Sequence, residues 1–158
     1  RNASEDFRNT DRVILGGPRP ATTRLKQFYA NIFPKASIIK TDSTIAEYVK
    51  YLTNCFLAVK VSVANEFASM CQENGVDYDK VVEYAVHDRR LGDSHWAVPG
   101  PDGHFGFGGS CFPKDLNALI HHSIKAGVPA NTLVGAWNTN LNVRPEKDWE
   151  ELKGRAVQ

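Results

Sequence analysis

Apolar and polar positions along the chain recur with two periods. Arg12-Val13-Ile14-Leu15-Gly16-Gly17 is a short apolar run stopped by glycines, which reads as a buried strand. Pro18 and Pro20 punctuate the next loop. Leu25, Phe28, Tyr29 and Ile32 then follow at helical spacing over 21–33, and Pro34 ends that helix. Residues 36–40 read as a second strand, so strand, helix and strand make one βαβ step of a parallel sheet. One step cannot close a sheet, which suits the end of a larger α/β domain. Thr44-Ile45-Ala46-Glu47 has the capping-box pattern, in which Thr caps the amide of Glu. Ile45, Val49, Leu52, Phe56, Val59, Val63, Phe67 and Met70 then recur every three or four positions. No Gly or Pro interrupts until Gly75, a suitable C′ residue. The pattern predicts a helix of about 30 residues, or ~45 Å. A second line, Tyr48, Tyr51, Cys55, Ala58 and Ser62, gives that helix two packable faces, as expected of a central helix at a subunit interface.

Residues 77–88 read as a shorter helix carrying Val81, Val82, Ala85 and Val86. The stretch 91–109 contains Gly92, Gly100, Gly103, Gly106, Gly108 and Gly109; a loop longer than ~15 residues in a compact domain is usually functional or disordered. Its aromatics, Trp96, Phe105 and Phe107, argue against disorder. Residues 113–126 form a helix with Leu116, Leu119, Ile120 and Ile124 inward, and 130–143 another. The expected fold is mainly α: a short α/β piece over 1–42, a helical central domain over 43–145, and a charged tail over 146–158 that frays.

Charge and cysteine content narrow the classes. The 158 residues carry 19 Lys plus Arg against 18 Asp plus Glu, for a net charge of +1, which gives no general pull toward nucleic acid or anionic membrane. No apolar run approaches the ~20 residues of a membrane span. The start, Arg1-Asn2-Ala3-Ser4-Glu5-Asp6, is too polar for a signal peptide. Three cysteines without a CxxC spacing argue against a disulfide scaffold or a zinc ribbon. Cys55 and Cys71, on one predicted helix, would lie about 24 Å apart, too far to bridge. A reducing cytoplasm fits. His121 and His122, adjacent on a helix, point about 100° apart and chelate poorly, so no metal site is expected.

The segment Gly106-Phe107-Gly108-Gly109-Ser110-Cys111-Phe112-Pro113-Lys114-Asp115 carries the chemistry. Pro113 suits a first helical turn, which puts Cys111 at a helix N-terminus, where free amides favour a thiolate and Lys114 adds positive charge. The glycines leave the backbone approachable. The residues alone allow two readings: an activated, accessible thiol, or a buried cysteine behind a glycine turn. Gly106-x-Gly108-Gly109 is not the GxGxxG dinucleotide fingerprint, and no such fingerprint follows a strand in this chain. Lys50 and Asn54, four apart on the long helix, could stabilise an oxyanion and position a water, with Glu47 on the same stripe; a solvated helix face is the simpler alternative.

Residues 106–115 resemble the catalytic-cysteine motif of the UDP-glucose/GDP-mannose dehydrogenase family. Thr44, Lys50 and Asn54 resemble its central helix, Asp88-Arg89-Arg90-Leu91-Gly92 its arginine-bearing turn, and Asp11-Arg12-Val13-Ile14-Leu15-Gly16-Gly17 the last part of its Rossmann-type NAD-binding domain. The resemblance implies oxidation of a sugar-nucleotide C6 alcohol to a carboxylate with two NAD⁺. Cys111 would form the thiohemiacetal and thioester, and Lys50 would stabilise the oxyanion. Asn54 and Asp115 would position or activate water. Arg90 would bind substrate, often across a subunit interface, Phe105, Gly106, Phe107 and Gly108 would line the sugar-nucleotide site, and Lys114 would face NAD⁺. It also implies a homodimer through the long helix, and a glycine-rich NAD-binding half before this region with a further nucleotide-binding domain after it. The chain is therefore expected to be a central portion, inactive by itself. A GDP-mannose-type substrate and a non-catalytic dimerisation module stand as alternatives.

Overall fold

The two short apolar runs pair side by side in the computed structural model, which describes residues 3–152. A short helix α1 (Ala3–Arg8) precedes strand β1 (Arg12–Gly16). Helix α2 (Arg19–Ile32) then leads to β2 (Ser37–Thr41), which runs parallel to β1 with Arg12 opposite Ser37 and Gly16 opposite Thr41. This is the expected βαβ step. Leu15 and Phe33 are buried in it, and Phe33 meets Phe7 edge-on at 5.0 Å between ring centres. Gly16 ends β1 where a Cβ would come within 2.6 Å of the Ala46 Cβ, so only glycine lets the strand end lie this close to the following helix.

That helix, α3 (Ser43–Glu73), is 31 residues long. Its cap corrects the capping-box reading: the carboxylate of Asp42 accepts from the Ile45 amide at 2.9 Å, so the helix starts earlier than Thr44 would set it. Its end follows the prediction. Gly75 has φ +65°, the Val76 amide bonds the Cys71 carbonyl at 2.9 Å and the Gly75 amide that of Gln72 at 3.2 Å, the Schellman arrangement. The chain forms two compact units, 3–50 and 51–152 as described, and α3 contributes to both.

In the second unit α3 is followed by α4 (Tyr78–Ala85), a long irregular stretch, α5 (Cys111–Lys125) and α6 (Asn131–Val143). Cys55 and Ala58 from α3, Phe107 from the irregular stretch and Leu116 from α5 form the core, with Tyr51, Phe112, Leu119, Ile120 and Trp137 packed around them. The buried face of α3 is therefore the line of small residues. The stripe of larger ones is open: Leu52, Phe56, Val63, Phe67 and Met70 are exposed. The charged segment after 146 departs from the expected fraying over its described part. A 3-10 turn at Asp148–Glu151 buries Trp149 against Trp137, ring centres 5.2 Å apart. Residues 153–158 of the predicted tail, and Arg1 and Asn2 of the polar start, lie outside the described residues.

Candidate active site

Cys111 is the first residue of α5, with Ser110 before it as N-cap. The helix begins two residues ahead of Pro113, which still lies in the first turn, where amides make no intrahelical bond and the missing N–H costs nothing. Cys111 is a free, exposed thiol, with the Ser110 hydroxyl 3.9 Å from its sulfur. Exposure removes the buried-cysteine alternative. Cys55 and Cys71 are free and buried in α3.

One turn along α5, on the face of Cys111, lies Asp115, only 1% exposed. Both its oxygens are engaged. The Asn54 amide donates to Oδ2 at 2.6 Å and the Lys114 ammonium to Oδ1 at 2.5 Å. A buried carboxylate is tolerable only when so paired. The bond to Asp115 holds the Lys114 ammonium above its usual range against the opposing effect of burial; Tyr51 and Cys111 add to the shift. Lys114 is 43% exposed, so it presents a cation at the surface beside the thiol. Asn54 thus leaves the solvated-face alternative and joins the site. Lys50 is exposed on α3 within the N-terminal unit. Arg90 stands on the exposed turn after α4, where its guanidinium is forked onto Asp88, Nε at 3.0 Å from Oδ1 and Nη2 at 2.5 Å from Oδ2.

The glycine-rich approach is held by side chains that sequence reasoning missed. The Gly106 amide donates to Asn65 Oδ1 at 3.0 Å. Asn140 grips Phe107 from both sides, its Oδ1 accepting from the Phe107 amide at 2.7 Å and its Nδ2 donating to the Phe107 carbonyl at 3.0 Å. The Gly109 amide donates to Asp148 at 3.1 Å, and Arg144 bonds Asp148 and Asp102. The room that the glycines make is taken by the protein itself. A Cβ on Gly106 would lie 2.4 Å from Asn140 Oδ1, and one on Gly108 would lie 2.3 Å from the Arg144 guanidinium. This corrects the reading that those glycines open the backbone to a ligand; only Gly109 has open space around it. Phe107, expected to line a binding surface, turns its ring into the core at 4% exposure, whereas Phe105 is exposed. A signal for Asn65 and Asn140 exists: asparagine is a poor helix former, and both stand inside helices. Arg144 and Asp148 gave none: Arg144 lies just past a predicted helix, and Asp148 falls within the segment read as a charged tail.

The first half of the irregular stretch is anchored by Lys60. Its ammonium donates to the carbonyls of Leu91 at 2.8 Å and Gly92 at 3.3 Å and sits 4.6 Å from the Trp96 ring centre. Burial lowers its pKa, with Asp93 opposing. The Tyr78 hydroxyl, pushed up to about 12 chiefly by burial, donates to the Trp96 carbonyl at 2.7 Å. Among the described residues no cluster of His, Cys, Asp and Glu could hold a metal ion, and no helix is long and apolar enough to cross a membrane.

Comparison with known proteins follows the same region. The model of the UDP-glucose/GDP-mannose dehydrogenase family, central domain, matches residues 44–142. UDP-glucose 6-dehydrogenase AglM of Haloferax volcanii is 34% identical over 97% of this chain and 35% of its own length. The UDP-glucose 6-dehydrogenase of Pseudomonas aeruginosa is 38% identical over 84% of this chain and 28% of its own length. The solved structure of a UDP-glucose dehydrogenase from Pyrobaculum islandicum superimposes with a TM-score of 0.74 at 32% identity, over 96% of this chain and 33% of that one. The chain thus spans about a third of the length of these relatives.

Proposed function

Because the chain belongs to the UDP-glucose/GDP-mannose dehydrogenase family, we propose that it is the central portion of an NAD-dependent UDP-glucose 6-dehydrogenase with Cys111 as the nucleophile. The observation that carries this is the exposed thiol at the first residue of α5, one turn from a buried Asp115 held by Asn54 and Lys114. In this reading the Cys111 sulfur attacks the C6 aldehyde. A C–S bond forms, the aldehyde oxygen takes a proton, and the reactive intermediate cannot escape. NAD⁺, when bound, accepts the hydride in each of the two oxidations. Lys114, a half-exposed cation beside the thiol, fits an anionic cofactor. Lys50 supplies a positive charge for the oxyanion of the tetrahedral species. Asn54 and Asp115 orient the water whose addition to the thioester expels the thiolate and releases the carboxylate. Arg90 and the exposed Phe105 contact the sugar nucleotide, while Gly106, Phe107 and Gly108, held by Asn65, Asn140 and Arg144, shape the stretch that presents Phe105.

Residues 1–42 then correspond to the end of an NAD-binding domain and 43–145 to the central domain, in line with the match over 44–142. The exposed stripe Leu52, Phe56, Val63, Phe67 and Met70 supports a homodimer through α3, since a contiguous apolar face of this size rarely stays in water. Three free cysteines accord with a cytoplasmic setting. Iodoacetamide labelling followed by peptide mass spectrometry tests the nucleophile. Cys111 should react faster than glutathione at the same pH, and UDP-glucose should slow it saturably. A Cys111 that matches glutathione and ignores UDP-glucose would favour a bare assembly module.

A further inference from the structure

Arg144 is 4% exposed, yet nothing in the chemistry above uses it. A guanidinium taken out of water is costly unless every face is paired. Here Nε donates to Asp148 Oδ1 at 2.7 Å, and Nη1 donates to Asp102 Oδ2 at 2.9 Å and to the Phe105 carbonyl at 3.3 Å. The other oxygen of Asp148 takes the Gly109 amide at 3.1 Å. The cation therefore stands where three segments cross: the end of α6, the 3-10 turn, and the stretch 102–109 that runs into Cys111. Gly108 completes the fit, because a Cβ there would overlap the guanidinium.

We propose that Arg144 is a positioning residue for the site: by gripping Asp102, the Phe105 carbonyl and, through Asp148, the Gly109 amide, it fixes the stretch that presents Phe105 and delivers Cys111 to the start of α5. The proposal rests on Cys111 being the nucleophile. Lysine is a point charge on a flexible stem and can hold only part of this fork, whereas methionine fills space and holds none.

The test is site-resolved alkylation of the chain by iodoacetamide, with Cys55 and Cys71 as internal reporters of the fold. Cys111 is already exposed, so loosening cannot speed its reaction by uncovering it; it can only take the sulfur away from an ordered helix start. Arg144→Met is expected to slow Cys111 at least fivefold while Cys55 and Cys71 stay unreactive, and Arg144→Lys to recover part of the rate. Asp148→Asn keeps an oxygen for the Gly109 amide and removes the charge that Arg144 holds; it should give a smaller loss of the same kind. A Cys111 rate within twofold of the parent in all three variants overturns the proposal. So does a loss at Cys111 that always comes with reactive Cys55 and Cys71, for then Arg144 only holds the fold. If the parent thiol reacts no faster than glutathione, the nucleophile reading fails, while the ratio of variant to parent rate still reports on Arg144.

Discussion

Gly106 and Gly109 share a left-handed backbone, φ +66° and +68°, but not their surroundings. A side chain at either position pays the left-handed penalty of roughly 1–2 kcal/mol. At Gly109 nothing lies within 4 Å of the added Cβ, so Gly109→Ala should cost no more than that. At Gly106 the Cβ would displace the Asn140 oxygen and with it the grip on the buried Phe107 backbone. Leaving such groups unpaired adds roughly 1–3 kcal/mol, so Gly106→Ala should be clearly the worse of the two in urea melts. Equal costs would show that Asn140 moves aside freely. The glycines were legible in the sequence; the reason for them was not. Asn140 is 33 positions from Phe107, and nothing local announces that contact. Cys111 and Lys114 were legible as candidates in a short motif and Asn54 through helical spacing, whereas Asp115 became a candidate only through the family resemblance.

For α3, the period gave the length and the end, but not the cap or the buried face. Two side chains compete for the role of cap, and the structure favours Asp42. Asp42→Ala should therefore lower stability by about 1 kcal/mol, and Thr44→Ala by much less, read from thermal or urea unfolding. The reverse order would restore the capping box. A helical stripe says that a face packs, not against what. Cys55, Ala58 and Ser62 are small enough to let neighbouring elements come close and are buried within the chain, while the bulkier stripe stays exposed. Phe56, 65% exposed at its centre, tests the dimer. Phe56→Glu should turn a dimer into a monomer in sedimentation velocity with helical content unchanged. A parent chain already monomeric at high concentration would remove the dimer from the proposal.

On the scale of the whole molecule, the charged segment read as a fraying tail instead closes the second unit, and this has a consequence in acid. Asp102 and Asp148 are held below the ordinary carboxylate value of 3.8: burial works against the charged form, but hydrogen bonds outweigh it, from the His104 amide and Arg144 for Asp102, and from Arg144 and the Gly109 amide for Asp148. Arg144 is raised in turn, since its two carboxylates outweigh burial, and so stays charged throughout. A carboxylate whose folded value lies below its unfolded one contributes stability that is complete above the unfolded value and is lost as pH falls through the folded one. Both carboxylates are more than a third exposed, so solvent screening keeps the effect modest. Stability from this clamp should therefore hold from about pH 7 to 5 and decline below about pH 4. Exposed pairs such as Asp88–Arg90 add their own acid dependence, which the parent shares with any Arg144 variant. The difference between the two proteins isolates the clamp: between about pH 5 and 3 the parent should lose more stability than Arg144→Met, whose carboxylates no longer face a cation. Parallel pH profiles would mean that the three charges are paired without being coupled to folding, and that Trp149 and its apolar contacts alone hold the segment down.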